Sequence, residues 1–320
     1  MGRRRALPRR RLDRAATVDV YAFVVIRATL FTDPACPWGY SANPAHRVLE
    51  WRYGDGLDWR LVLIGLREQP STRPWDAGRA AASHAYFRDH YGMPFGLTPK
   101  ARAAATGRGC RAAVAARLHD PGSEWKVVRA LYFANFTTPL LLDDDALIRD
   151  ALTAAGLGGD AIVARLDDPD VAEAYERDRA EARSAAGTAA EAQGKTATSD
   201  GPVRYTAPSI IFEREGEQLV AGGWQPVMAY DVLIANLDPA LERREPPDSP
   251  VELLERFPGG LTTAEAAAVL CPGPDYVASM EAAEAALVKL AAAGAVTREP
   301  LGQDALWKPA TAAARHAEAA

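Results

Sequence analysis

The sequence predicts an α/β fold in which a sheet is interrupted by one large helical insertion and followed by a small, mostly helical module. Three observations carry this reading. Two strand-like runs near the N-terminus, "VVIRATLFT" at 24–32 and "LDWRLVLIGL" at 57–66, flank a short helical segment, and strand character returns only at "APSIIFE", 207–213. The intervening residues 69–194 are alanine-rich and punctuated by Gly and Pro, the pattern of successive helices. A Pro-rich stretch, "REPPDSP" at 244–250, then marks a linker.

Residues 1–18 read as a basic disordered tail and stand outside the fold. The main domain runs over 24–240. Its first strand alternates and is rich in β-branched residues, until Asp33-Pro34-Ala35 breaks it. From Cys36 to Tyr53, Trp38, Ala42, Ala45 and Leu49 fall on one helical stripe expected to face a core. Pro37 sits in the first turn, where a missing N–H costs nothing, while Pro44 predicts a kink. The second strand is nearly continuously apolar, as a strand inside a sheet should be. Helices are expected over 77–91, 109–118, 124–136, 144–155 and 168–190. A hairpin follows from "APSIIFE" and "QLVAGG" (218–223), closed by a helix at 226–237. Beyond the linker, residues 251–310 offer three helices and a strand pair around Thr297–Lys308, which resembles a small winged-helix module; 311–320 is a tail.

Charge and composition exclude several functions. The formal charge is −5, but the first 14 residues hold seven Arg and one Asp, leaving 30 basic against 41 acidic residues in the rest, a net of −11. An acidic body does not seek phosphate backbones. Residues 250–310 hold four basic and eight acidic residues, and the helix expected at 276–293 offers only Lys289 against Glu281 and Glu284. Base readout wants Arg, Asn or Gln there, so no nucleic acid is expected as a partner. Protein contact or dimerisation, a homodimer included, is the role left to the module. No run approaches the ~18 apolar residues of a membrane span. The short run "VYAFVV" follows Asp19 and lacks a small-x-small cleavage site, which argues against a secretion signal. Cys36, Cys110 and Cys271 are 74 and 161 residues apart, neither a disulfide framework nor a zinc spacing. That usage fits a reducing cytoplasm. His84 and His90 lie about 240° apart around a helix, so no metal pair is expected.

The chemistry concentrates at "DPACPWGY", 33–40. A cysteine in the first turn of a helix faces unpaired N–H groups and the positive end of the dipole. Thiol pKa values at such sites fall to ~3.5–7.5, so Cys36 is expected to be nucleophilic near neutral pH.

Strand, Cys-Pro-Trp, a helix with a proline eight residues past the cysteine, a second strand, a helical insert and "TAPS" opening a hairpin resemble, taken together, a thioredoxin fold with the helical insertion of the DsbA family. More narrowly the sequence is similar to dithiol-disulfide isomerases of the FrnE type and to 2-hydroxychromene-2-carboxylate isomerases. "DPACPWGY" matches the FrnE-type stretch D-x-x-C-P-W-C-Y, "YGMPF" at 91–95 resembles a loop of the insert, and "RYTAPSIIF" at 204–212 resembles the cis-proline strand; the match spans Ile26 to Leu237. The resemblance implies that Cys36 and Pro208 are catalytic, with Pro208 in a cis peptide against the cysteine. It implies further that Pro37, Trp38, Tyr40, Met93, Phe95 and Ala207 bind substrate.

One position departs from that pattern. Gly39 stands where the resolving cysteine would be, so Cys36 cannot form an intrachain C-x-x-C disulfide. Three outcomes remain. Cys36 can act as a single thiol, exchanging with small thiols and disulfides or isomerising a protein's disulfides. It can stand where the isomerase relatives use serine, positioning a thiol cofactor. Or the domain can be a noncatalytic binding or regulatory scaffold. No tightly bound cofactor is expected beyond a low-molecular-weight thiol as cosubstrate. Cys110 reads as a core residue and Cys271 has no assigned role. Gly39→Cys is expected to restore an intrachain disulfide.

Overall fold

The first strand, β1 (Ile26–Thr32), is central to the structure, a computed structural model that describes residues 25–199, 201–273 and 277–310. The tails expected at 1–18 and 311–320 lie outside the described residues. After β1 come α1 (Pro37–Ser41), α2 (Asn43–Tyr53) and β2 (Leu57–Leu63). The helical insertion holds α3 (Ala77–Tyr91), α4 (Gly107–His119), α5 (Ser123–Thr137), α6 (Asp145–Ala154), α7 (Gly159–Val163), α8 (Pro169–Ala182) and α9 (Ala189–Ala192). A two-residue ladder, β3 (Thr196–Ala197) and β4 (Arg204–Tyr205), leads into β5 (Ser209–Arg214), β6 (Glu217–Gly222) and α10 (Val227–Leu237). The C-terminal part comprises α11 (Pro250–Arg256), β7 (Leu261–Thr262), α12 (Thr263–Val269), α13 (Met280–Ala292), β8 (Val296–Leu301) and β9 (Asp304–Pro309).

The four main strands form one sheet in the order β2-β1-β5-β6. β1 runs parallel to β2, with α1 and α2 as the crossover, and antiparallel to β5. The chain is therefore a thioredoxin-like α/β protein with a mixed sheet and a large helical insertion. The central strands are covered on both faces, which is why Leu61, Val62 and Leu63 are all buried in succession.

Three local expectations need correction. The helix expected over 36–53 is two helices, because Ala42 caps both. Asn43 Nδ2 donates to the Gly39 and Tyr40 carbonyls left over at that break, and Pro44 falls in the first turn of α2, where it needs no N–H partner. Trp38, expected on the core stripe, is 39% exposed because that break turns α1 away from the stripe of α2. The helix expected over 168–190 splits into α8 and α9. Gly187 between them has φ +74°, and Arg183 turns back to the Ile64 and Gly65 carbonyls at the end of β2.

The C-terminal part has the order helix, strand, helix, helix, strand, strand with a sheet β7-β9-β8, compatible with the winged-helix-like expectation. Its core of Leu253, Leu261, Val269, Leu287 and Trp307 also includes Val48 and Trp51 from α2. The Pro-rich stretch is pinned to the same helix: the Arg244 N–H donates to Arg52 O (2.8 Å) and Trp51 Nε1 to Glu245 O (2.7 Å). The module is therefore packed onto the helix that follows the Cys36 turn. Among the described residues no helix is long and apolar enough to cross a membrane, and no group of three or more His, Cys, Asp or Glu side chains is placed to hold a metal ion.

Candidate active site

Cys36 is delivered by a tight turn at the end of β1. Its N–H donates to Asp33 O (2.9 Å), and the Ala35 N–H to Asp33 Oδ1 (2.8 Å). The turn leaves Cys36 as the N-cap of α1, with Pro37 in the first helical position. Cys36 Sγ accepts from the Gly39 N–H at 3.4 Å and donates to Ala207 O at 3.2 Å. Sheet register explains the second contact: Phe31 pairs with Ser209, so the chain entering β5 passes beside the chain leaving β1. The Ala207–Pro208 peptide bond is cis.

A groove of about 370 Å³ opens at the thiol, lined by Cys36, Trp38, Leu66, Lys195, Ala197, Arg204, Thr206, Ala207, Gly223 and Trp224. Trp38 is held edge-on against Phe87 (4.9 Å) and Tyr91 (5.4 Å), and Tyr91 packs on Trp224 (5.1 Å). These aromatic contacts fix one wall. Lys195 and Arg204 supply two cationic side chains, the latter held by hydrogen bonds to Tyr205 O and Ser199 Oγ.

The electrostatics reverse the expectation of a stabilised thiolate. Cys36 is only 5% exposed, and burial, the largest cause, pushes its thiol up to about 12. The Gly39 and Trp38 N–H groups and Arg204 pull the other way, while Asp33 pushes further up. A local argument from the helix start fails here for two reasons. α1 has only five residues, so little dipole accumulates. The Ala207 carbonyl accepts from the S–H, which favours the protonated form.

Asp33 is itself fully buried, and burial raises its pKa despite hydrogen bonds from the Leu66 N–H (2.8 Å), the Ala35 N–H and the Thr106 hydroxyl (2.9 Å). Cys110 Sγ also donates to Asp33, at 3.5 Å, and burial and Asp33 together push that thiol up. It is a buried core thiol.

The position of the missing cysteine is filled. A Cβ on Gly39 would lie 2.5 Å from both Thr32 Oγ1 and Tyr132 Oη, two buried hydroxyls hydrogen-bonded to each other at 2.6 Å. Gly39→Cys alone therefore forces the Thr32–Tyr132 pair to shift, although the same Cβ would lie 3.5 Å from Cys36 Cβ, within disulfide range, so the expected disulfide depends on whether that pair yields.

Of the residues expected to line the site, Cys36, Trp38 and Ala207 meet at the groove, Pro37 is half-buried at the start of α1, and Pro208 follows Ala207 in the cis peptide. Tyr40, Met93 and Phe95 do not line it. All three are wholly buried: Tyr40 stacks on Phe136 (4.9 Å) and donates to Pro94 O (3.0 Å), Phe95 packs on Tyr40 and Phe87, and Met93 Sδ accepts from Thr262 Oγ1. They build the seam between the insertion and the body. Leu66, Lys195, Arg204 and Trp224 also line the groove; Leu66 and Arg204 sit at the ends of the strand and cis-proline stretches read from the sequence, whereas Lys195 and Trp224 carry no sequence signal of their own.

A model of the DSBA-like thioredoxin domain matches residues 28–188. Among curated proteins none matches. Solved structures similar to this chain include a candidate protein disulfide isomerase from Nitrosomonas europaea, at 15% identity, covering 66% of this chain and 97% of that one, with TM-score 0.52. A probable DsbA oxidoreductase from Streptomyces coelicolor matches at 17% identity, covering 67% of this chain and 91% of that one, with TM-score 0.50. The cytosolic disulfide reductase DsbM from Pseudomonas aeruginosa matches at 20% identity, covering 67% and 100%, with TM-score 0.46. At these identities the likeness is one of fold.

Proposed function

The chain belongs to the family of DSBA-like thioredoxin domains, and from that premise we propose that Cys36 is a lone exchange thiol acting on a low-molecular-weight disulfide bound in the groove. The observation that supports this most is the placement of Cys36 Sγ against Ala207 O, beside Pro208, at the floor of a groove large enough for a small ligand. Lys195 and Arg204 favour a substrate carrying carboxylates.

The chemistry follows from one sulfur. The Cys36 thiol loses its proton to solvent, and the thiolate attacks a disulfide R–S–S–R; the Cys36–S–S–R bond forms as R–S⁻ departs and takes up a proton from solvent. With no neighbouring thiol to resolve it, an external thiolate must attack the mixed disulfide and restore Cys36. Disulfides are exchanged without a net two-electron cycle at the protein. With a pKa of about 12, roughly one molecule in 10⁵ carries the thiolate at pH 7. Exchange is therefore slow unless a bound ligand opens or polarises the site.

The same protonated thiol favours a second reading. A buried S–H can donate to the sulfur of a bound thiol cofactor, which is the position serine takes in the isomerase relatives that the motif resembles. Intact-mass measurement on a Cys271→Ser background after incubation with glutathione disulfide separates the two. The exchange reading predicts one adduct on Cys36, absent in Cys36→Ser and released by dithiothreitol. Reversible glutathione binding to both proteins with no adduct would replace it with the positioning reading.

A further inference from the structure

The groove at Cys36 differs in charge from the molecule around it. Outside the first 14 residues the chain carries a net −11, yet the groove is lined by two basic residues, Lys195 and Arg204, and among the described residues by no Asp or Glu. The fields of both cations attract carboxylates, but the two are held differently. Arg204 is 7% exposed, donates to Tyr205 O and Ser199 Oγ, and pulls the Cys36 thiol down. Its guanidinium is turned to the protein.

Lys195 is turned to the groove. Its backbone is fixed where α9 leads into β3: the N–H donates to Ala190 O (2.8 Å), and the carbonyl accepts from the Thr206 N–H (3.3 Å) and hydroxyl (3.0 Å). Its aliphatic stem crosses the Gly222–Gly223 step at the end of β6, where a Cβ on Gly222 would lie 2.5 Å from Lys195 Cβ and one on Gly223 3.3 Å from Lys195 Cδ. The first of these distances is shorter than real Cβ contacts, so glycine at 222 is what admits the stem. The side chain is exposed, and its ammonium has no hydrogen-bond or ion-pair partner among the described residues. A ligand's charge can therefore be matched there without breaking an existing contact.

We propose that Lys195 is the specificity-determining residue of the groove and selects disulfides that carry a carboxylate on the half bound beside Cys36. Arg204 acts on the thiol, and Lys195 acts on the charge of the ligand. This assignment rests on the exchange reading of Cys36.

The test uses three small disulfides of graded charge: 3,3′-dithiodipropionate, 2-hydroxyethyl disulfide and cystamine. Adduct formation on Cys36 is followed by intact mass on the Cys271→Ser background. Each rate is taken relative to that of the neutral 2-hydroxyethyl disulfide with the same protein, which cancels any change in thiol acidity. Lys195→Met should lower the relative rate of dithiodipropionate about threefold to fivefold and raise that of cystamine by a similar factor, the scale of one solvent-exposed ion pair. Lys195→Arg should hold both ratios near the wild-type values, and Arg204→Met should slow all three disulfides alike. Ratios that stay fixed in Lys195→Met, that shift as far in Lys195→Arg, or that shift in Arg204→Met instead would overturn the assignment and leave exchange at Cys36 standing. Adducts from none of the three disulfides would overturn the exchange reading itself, and the assignment with it.

Discussion

Asp33, at the turn before the reactive thiol, and Glu265, at the seam between module and body, are both carboxylates with no solvent exposure, yet their surroundings drive them in opposite directions. Glu265 meets Arg129 at 2.6 and 2.8 Å and Arg47 at 3.4 Å, and it accepts the Thr262 N–H as the third residue of a capping box. These partners hold its pKa down at about 2 against burial. Asp33 receives only neutral donors, and burial wins. One buried acid locks two parts of the molecule together; the other adds a lesser push to the burial that keeps a neighbouring thiol protonated. Burial alone thus does not set the outcome, since the presence of a paired cation decides it.

The largest expected effect lies at the seam. Glu265→Gln leaves Arg129 and Arg47 without their shared buried partner and should cost about 3–5 kcal/mol in denaturant unfolding. A loss below ~1 kcal/mol would mean that the seam is held by apolar packing instead. The same pair fixes a pH window. Because the folded pKa of Glu265 lies below its ordinary value of 4.5, its contribution is present above 4.5 and is lost as pH falls toward 2. His46, lowered to about 3 by burial and by Arg47, adds a loss that begins as pH falls below 6.5. His46→Phe should therefore reduce the loss of stability between pH 6.5 and pH 4.5, leaving the part due to His84, which burial also lowers, read by unfolding curves across pH.

A smaller effect is expected at Gly39. Gly39→Cys alone should cost about 1–3 kcal/mol by overpacking and form no intrachain disulfide. The triple variant with Thr32→Ala and Tyr132→Phe removes both obstructing hydroxyls and should form one, detectable as loss of two free thiols under mild oxidation. Disulfide formation in the single variant would show that the hydroxyl pair yields easily.

At the other acid, Asp33→Asn removes a group whose charge pushes the Cys36 thiol up, so alkylation at fixed pH should accelerate about threefold to tenfold. An unchanged rate would show that Asp33 is already protonated in the wild type.

Much of the fold was legible because its signals are local. The apolar runs of β1 and β2, the alanine-rich helices and the Pro208 strand each declare themselves within about ten residues, and sheet order follows from them with few alternatives. The site was legible only at its motif. Tyr40, Met93 and Phe95 read equally well as groove wall or core, and only tertiary packing tells the two apart. The Thr32–Tyr132 pair that fills the place of a second cysteine joins residues 100 positions apart. No spacing rule reaches that far. The acidity of Cys36 is illegible for a related reason: a helix start is visible in sequence, whereas the opposing carbonyl comes from Ala207, 171 positions away, and the burial from tertiary packing.

The central claim is that Cys36 is a single thiol held protonated by its surroundings, and the pH dependence of its alkylation tests this most directly. On the Cys271→Ser background, with iodoacetamide and Cys36→Ser as the blank, the rate should climb about tenfold per pH unit from pH 6 to pH 10 without levelling, as a thiol near 12 requires. A rate that levels off below pH 8 would show an activated thiolate and contradict the account.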